Sequence, residues 1–539
     1  MPGSPTGCSG RSNSASTATR SATWPPTAKR RPCSRAERPV PGSSSVTGPT
    51  SHPPHLAVAA RHRRRPLSGW PRLVAVSCAV VLALGVTACS SDDDTTSTGA
   101  GSATTADVAG GGEGSVIRVP EDHETIQAAL DAAAPGDLVL VGKGVYEEAV
   151  DVTTADVTIR GVDRNEVILD GGFELENGIR VLDTDGVVVE NLTVRNYVSN
   201  GVFWTGSDRY RGSYLTVYRN GGYGLYAFDA YHGLIEHSYG SGNTESAFYI
   251  GECFECDAVI DDVVSEYNGL GYSGTNSGGE LYIVNSTFRN NRAGIVPNSG
   301  SYELCYPGRS TVIVGNIVHD NNLLDGPGFA TALIAQGNGI LLAGTIDGRV
   351  ERNLVFDHDR TGISVIPFVE GDASDTPPPV SEHDRPCEET RDDPLPEEPV
   401  GQVLWDATGN RIIGNDVSGS GVADLASGFI RNPLPGVAVA ADGNCFSDNR
   451  IVSSAPPGLQ DIVPCDRPGN GVDLEIDALD FGLFITERPP EPDRDIYQRM
   501  PAPGPQENMP DPATAPHPRF EAPDRPDIEA ITVPARPPT

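Results

Sequence analysis

From Gly178 onward the chain repeats one small pattern: a small residue, then alternating apolar and polar positions. It reads GIRV at Gly178, GVFW at Gly201, GLYAF at Gly224, AFYI at Ala247, GYSG at Gly271, GIVP at Gly294, GILL at Gly339 and GISV at Gly362. Successive spacings are 23, 23, 23, 24, 23, 45 and 23 residues. Alternation with period two marks a strand with one buried face. The long step contains SGSYELCYPGRS and LLDGPGFATALIAQG, so we read it as one coil enlarged by two loops. A second column (NLTVRN, YLTVYRN, HSYGSGN, DVVSEYN, NSTFRN, GNIVHDN, RNLVFDH) keeps the same register and closes each time on a polar turn.

Short strands at this period, with no helix between them, do not fit a propeller or a leucine-rich repeat. They predict an all-β fold, a right-handed parallel β-helix of about ten coils of ~23 residues, stacked ~4.8 Å apart. Ile179, Val202, Leu225, Phe248, Ile295, Ile340 and Ile363 should form one inward column. Asn196, Asn220, Asn243, Asn268, Asn290 and Asn321 should fall near one corner. Asparagine tolerates left-handed backbone there, and its amide can bond along a stack.

An open end of such a stack exposes unpaired strand groups and must be covered. The segment VPEDHETIQAALDAAAPGDLVLVG predicts an N-terminal capping helix, with Thr125 as N-cap and Ile126, Leu130 and Ala133 on its apolar face. Pro135-Gly136 stops the helix. This opening resembles the N-terminal cap of the pectin-lyase-like superfamily, in which Thr-Ile-Gln-Ala-Ala and Pro-Gly-Asp recur. The coils likewise resemble the right-handed β-helix repeats of carbohydrate-binding proteins and sugar hydrolases. The resemblance spans roughly residues 116–455 and implies fold more than activity.

Composition divides the rest. Residues 1–72 carry twelve Lys/Arg and one acid, Glu37, so the −34 of the whole chain conceals −45 in the remainder. So acidic a body argues against nucleic-acid binding. The apolar run Leu73–Val86, the basic flank RHRRRPLSGWPR and the small residues of VTAC predict a lipoprotein signal over 61–89, cut before a lipid-bearing Cys89. VTAC resembles the bacterial lipobox. The protein is then expected at the cell membrane, lipid-anchored and extracytoplasmic, on a flexible tether over 90–115. Residues 1–60 lack any period and read as disordered, an over-extended start. The β-helix is expected over 116–485, with a Pro/acid-rich insertion at 370–401 and a Pro-rich disordered tail at 486–539.

Six cysteines follow the anchor, and an even number outside the cytoplasm points to disulfides. We expect Cys253–Cys256, Cys305–Cys387 and Cys445–Cys465. No dedicated metal site is expected. Asp320, Asp357 and Asp359, beside His319 and His358, form a weak candidate cluster at one turn, and calcium is compatible with so acidic a chain. A resemblance to a β-helix maturation protein of nitrous-oxide reductase would imply copper. It is disfavoured, because all three methionines lie outside the coils and the cysteines are expected to be oxidised.

Aligning the coils places Arg180, Phe203, Tyr226, Tyr249 and Ser273 in one outward column. Three aromatics in succession should make an exposed stripe of rings. Asp183, Asp229 and Glu252 recur five residues after their coil's small residue, at the strand end beside it, with His232 and Glu255 further along. Rings to stack on and carboxylates for hydroxyls suit a polysaccharide or cell-wall glycan. Phe203, Tyr226, Tyr249 and Asp183 are the substrate-binding candidates, and Asp229, His232 and Glu252 the catalytic ones. YAFDAYH resembles the Tyr-Gly-Phe-Asp-Pro-His motif of alginate epimerases of this fold at Tyr226, Phe228 and Asp229, with the proline missing and His232 displaced by one. Two functions remain open: a protein that binds a polysaccharide, with processing as lyase, glycoside hydrolase or epimerase compatible with the same residues, or a non-catalytic surface binding and structural module.

Overall fold

The computed structural model describes residues 114–391, 393–428, 443–471 and 488–538. Residues 61–89 and the tether, with Cys89, lie outside the described residues, as do 1–60. Three parallel sheets of 12, 11 and 10 strands run the length of the stack. The first sheet begins at Val116–Val119 and ends at Cys445–Ser447. The second runs from Val150–Val152 to Ser454–Ala455, and the third from Gly144–Tyr146 to Asp416–Ser418. Each coil contributes one strand to each sheet, as in Val202–Asp208, Arg211–Ser213 and Thr216–Tyr218. This is a parallel β-helix.

The register matches the repeat read from the sequence. Ile179, Val202, Leu225 and Phe248 pair in succession, Tyr272 fills the next place, and Ile295, Ile340 and Ile363 continue the column. All eight side chains are fully buried. Because Ile295 pairs directly with Ile340, the 45-residue step is one coil with loops. A single coil has no interior; burying each such side chain between its neighbours contributes roughly 1.5–3 kcal/mol. Helix Ile126–Ala132 lies against the first strands with Ile126, Ala129 and Leu130 buried, and the Thr125 hydroxyl accepts from the Ala128 N–H at 3.1 Å.

Two asparagine ladders hold the corners of the third sheet. In one, each amide donates to the next across Asn220, Asn243, Asn268, Asn291 and Asn321, at 2.9–3.0 Å. In the other the line runs through Asn316, Asn353, Asn415 and Asn449 to Gln460. Asn196 and Asn290 stand one residue before the ladder, at φ 61° and 54°. Their expected place is taken by Tyr197, whose N–H donates to the Asn220 amide oxygen, and by Asn291. The left-handed turn and the ladder are thus two adjacent positions, each favouring asparagine for its own reason.

The tail departs from expectation. Residues 497–536 were expected without packed structure, yet they lie along the outer side of the coils. The Arg160 guanidinium donates to the carbonyls of Ala515 and Pro516, Arg219 to Met500, and Arg352 to Ile528 and Ile531. Proline-rich chain cannot make its own core. It leaves backbone carbonyls free, however, and arginines fixed on the rigid sheet use them as acceptors. The three expected disulfides are all formed, with Cα separations of 4.9, 5.0 and 4.8 Å.

Candidate functional site

The second sheet's outward column reads Asp151, Arg180, Phe203, Tyr226, Tyr249, Ser273 and Val296. Pairing in register brings the rings together. Phe203 and Tyr226 have centroids 5.0 Å apart, and Tyr226 and Tyr249 stack at 4.7 Å. Tyr223, from the turn before, adds a fourth ring at 4.5 Å from Tyr226 and 4.8 Å from Tyr249. Phe228 lies parallel to Tyr226 at 5.8 Å.

Beside the rings the backbone bends into the left-handed region once per coil, at Asp183, Gly206, Asp229, Glu252 and Asn276, with φ between 48° and 59°. That bend turns the side chains of one column toward the same rim. A Cβ at Gly206 would come within 2.5 Å of the Asp183 carboxylate, so the glycine leaves that carboxylate room on the level between Asp183 and Asp229.

The stripe is not open in the way its sequence suggested. Tyr226 is 7 % exposed and Tyr249 1 %, while Phe203, Tyr223 and Phe228 are half-buried. The cover is the loop Ser299–Gly308, one of the two that lengthen the 45-residue step. The Tyr249 hydroxyl donates to Glu303 at 2.6 Å, the Leu304 N–H to Glu252 at 2.9 Å, and the Asn276 amide to the Gly300 and Glu303 carbonyls. Glu370 fastens the loop by accepting from Ser301 and from the Trp405 indole. The insertion, framed by antiparallel strands Phe368–Ala373 and Gly401–Trp405, is tied to the same loop by Cys305–Cys387. It delivers Arg391 onto Asp229.

Asp229 therefore stands between Arg391 and Tyr231, whose hydroxyl donates to it at 3.3 Å. Burial lifts its carboxyl above the usual range, against the pull of the guanidinium. Burial likewise pushes the phenols of Tyr223, Tyr226 and Tyr249 well above their ordinary value, so they are neutral donors. Glu303 is raised by burial and by Glu252. Glu245, half-buried at the start of strand Ser246–Gly251, is pushed up to about 7 by burial alone. Neither Glu245, Glu303 nor Arg391 was singled out in the sequence. They come from a turn, an enlarged loop and an insertion, none of which carries the repeat.

His232 does not join Asp229. It lies on the next corner, with Nδ1 2.5 Å from Asp208 and Nε2 3.6 Å from Asp257, and Asp257 is also faced by Arg525 of the tail. Three residues of strand carry it past the rim. The corner at Asp320, Asp357 and Asp359 is likewise not a ligand set. His319 bonds Asp320 at 2.7 Å and Arg536 pairs with Asp357. His358 is 2 % exposed and turned inward, where its Nε2 lies 3.2 Å from the Asn321 amide and ends that ladder. Burial drops its pKa to about 3, so it is a neutral acceptor. Among the described residues no three His, Cys, Asp or Glu side chains converge on a metal position, for calcium or otherwise.

A family model for a right-handed beta helix region matches residues 144–304 and, overlapping, 177–367. The matched coils are those that carry the rings. The fold is a right-handed parallel β-helix. No curated protein matches this β-helix by sequence. Among solved structures, the A-module of an Azotobacter vinelandii mannuronan C-5 epimerase is similar at 15% identity and a TM-score of 0.40, over 61% of this chain and 91% of that one. A pectate lyase is similar at 13% identity and a TM-score of 0.37, over 66% and 84%.

Proposed function

We propose that this β-helix is a lipid-anchored extracytoplasmic protein that binds a polysaccharide across the outer face of its second sheet. The observation that carries the reading is the ring stack Phe203–Tyr226–Tyr249 with Tyr223, bordered by the carboxylate rim of Asp183, Asp229 and Glu252. Sugar rings stack on aromatic faces, and carboxylates accept their hydroxyls. Phe203, Tyr223 and Phe228 offer the accessible ring surface, while Tyr226 and Tyr249 form the floor. A proton-transfer step, if the bound glycan is processed, falls to Asp229, flanked by Tyr231 and Arg391. The anchor rests on the basic flank, apolar run and VTAC around Cys89.

Binding of full-length protein to a panel of polysaccharides, with calcium and with chelator, tests the reading. Phe203→Ala and Tyr226→Ala should each weaken binding ~10-fold or more. Asp229→Asn should abolish any turnover. Cys89→Ala should move the protein out of the membrane fraction.

A second reading is favoured by the cover itself: with Tyr249 sealed beneath Glu303, the rings serve only to join adjacent coils. In that case Phe203→Ala and Tyr226→Ala unfold the protein, and folded survivors bind no differently from the parent.

A further inference from the structure

The ring-lined face is short of positive charge. Five carboxyl groups gather there, on Asp183, Asp229, Glu245, Glu252 and Glu303, and their electrostatic influence overlaps at Tyr226, at Asp229 and at Arg391. The one guanidinium among them, that of Arg391, is engaged by Asp229. Arg180, next to Phe203 in the outward column, is held by two bonds to Asp151, at 2.7 and 2.9 Å. Glu252 and Glu303 receive a backbone N–H and a phenol. The Glu245 backbone bonds to Gly222 and Leu270, but its carboxylate has no hydrogen bond or ion pair with any described residue, although Tyr223 and Tyr226 both feel its charge.

A second observation is independent of the acids. The Tyr226 side chain is more than nine-tenths buried, and its hydroxyl has no hydrogen-bond partner among the described residues. Its ring stacks at 4.7 Å on that of Tyr249, whose own hydroxyl donates to Glu303, and the charges of Glu303, Glu252 and Glu245 all act on Tyr226. The rings of Tyr223, Tyr226 and Tyr249 lie within 4.5–4.8 Å of one another, centre to centre.

Aromatic faces carry negative quadrupole, and beside the Glu245 carboxylate they attract a cation. A protonated amine would give Glu245 its missing partner, and a neighbouring sugar hydroxyl would meet Tyr226. A uronate carboxylate would instead be forced against Glu245 and Glu303, where like charges repel. We propose that this face recognises a glycan bearing protonated amino groups, an oligomer of 2-amino-2-deoxyhexose, with Glu245 accepting the ammonium. The inference rests on the glycan-binding reading and narrows it to one substrate class.

Calorimetry on the full-length protein with three probes tests it, at ~0.3 M salt to suppress general attraction of polycations to an acidic chain. The probes are the β-1,4-linked hexamer of glucosamine, its fully N-acetylated form and the hexamer of galacturonate. The amine hexamer should bind at least ~10-fold more tightly than the acetylated one, and the galacturonate least. Glu245→Gln should remove most of that preference and leave the acetylated hexamer unchanged, whereas Glu245→Asp should keep it. Equal binding of the amine and acetylated hexamers, or tighter binding of galacturonate, overturns the amine assignment and leaves the glycan site standing. An equal loss of amine binding in the remote variant Asp461→Asn overturns it too, as attraction by net charge. Failure of all three hexamers to bind removes the glycan reading along with it.

Discussion

The asparagine corner and the aromatic face are built on the same coils, yet they use side-chain stacking for opposite ends. At the corner, the amides of Asn220 to Asn321 satisfy one another and the backbone, and the line is closed by His358. Along these ladder amides no oxygen or nitrogen is left without a partner. On the face, Phe203, Tyr226 and Tyr249 also stack coil on coil, but the Tyr226 hydroxyl and the Glu245 carboxylate are left unmatched. A saturated ladder is a structural device, and an unsaturated one is a place for something to bind. Removing members of each should therefore separate stability from binding.

The largest loss is expected at the corner. Asn268 accepts from Asn243 and donates to Asn291, both at 2.9 Å. Asn268→Ala strands a buried donor on Asn243 and takes a donor from the Asn291 amide oxygen, and should cost roughly 3–5 kcal/mol in chemical denaturation. Glycan affinity of the protein that remains folded should hold.

His358 sharpens the same point through pH. Its folded pKa of about 3 lies below the ordinary 6.5 of an unfolded chain. Its contribution is complete above pH 6.5 and is lost as pH falls toward 3, at up to ~1.4 kcal/mol per pH unit. An asparagine there can continue the ladder without titrating. The stability profile of His358→Asn should be flatter than the parent's between these limits, and an unchanged slope would count against a buried neutral imidazole.

The cover over the face should matter less to the fold. Cys305→Ser with Cys387→Ser unties the insertion from the Ser299–Gly308 loop and should cost about 2 kcal/mol, since the coils beneath are already stacked. Trypsin should then cut faster after Arg391, read by mass spectrometry. The smallest effect on stability belongs to Phe203→Ala, half-buried at the open end of the stripe, at about 1 kcal/mol. Its glycan affinity should nevertheless fall further than that of Asn268→Ala. The reverse order would erase the distinction between corner and face.

Much of the architecture could be read before any coordinates, because a repeat fold writes each contact several times. Ile179, Val202, Leu225 and Phe248 share a place in the period, and the coil pitch alone then makes them neighbours. The outward column of Arg180, Phe203, Tyr226 and Tyr249 and the rim of Asp183, Asp229 and Glu252 follow from the same count, as does the local pair Cys253–Cys256. The ladder could be located only to within a residue, since turn and ladder both favour asparagine and Asn290 stands next to Asn291.

What the period could not decide is what lies across the coils from outside. Glu303, Arg391 and the tail arrive from segments with no repeat, and their partners sit 54, 162 and several hundred residues away in the chain. Nothing local specifies such pairings. They form because the rigid sheet presents Tyr249, Asp229 and Arg160 at fixed points, and a flexible segment settles where its free donors and acceptors are met. Sequence alone determined the stack, its inward column and the residues it lines up outside. Tertiary structure decided which of those were sealed, which acquired a counter-ion and which, like Glu245, were left facing an unfilled need.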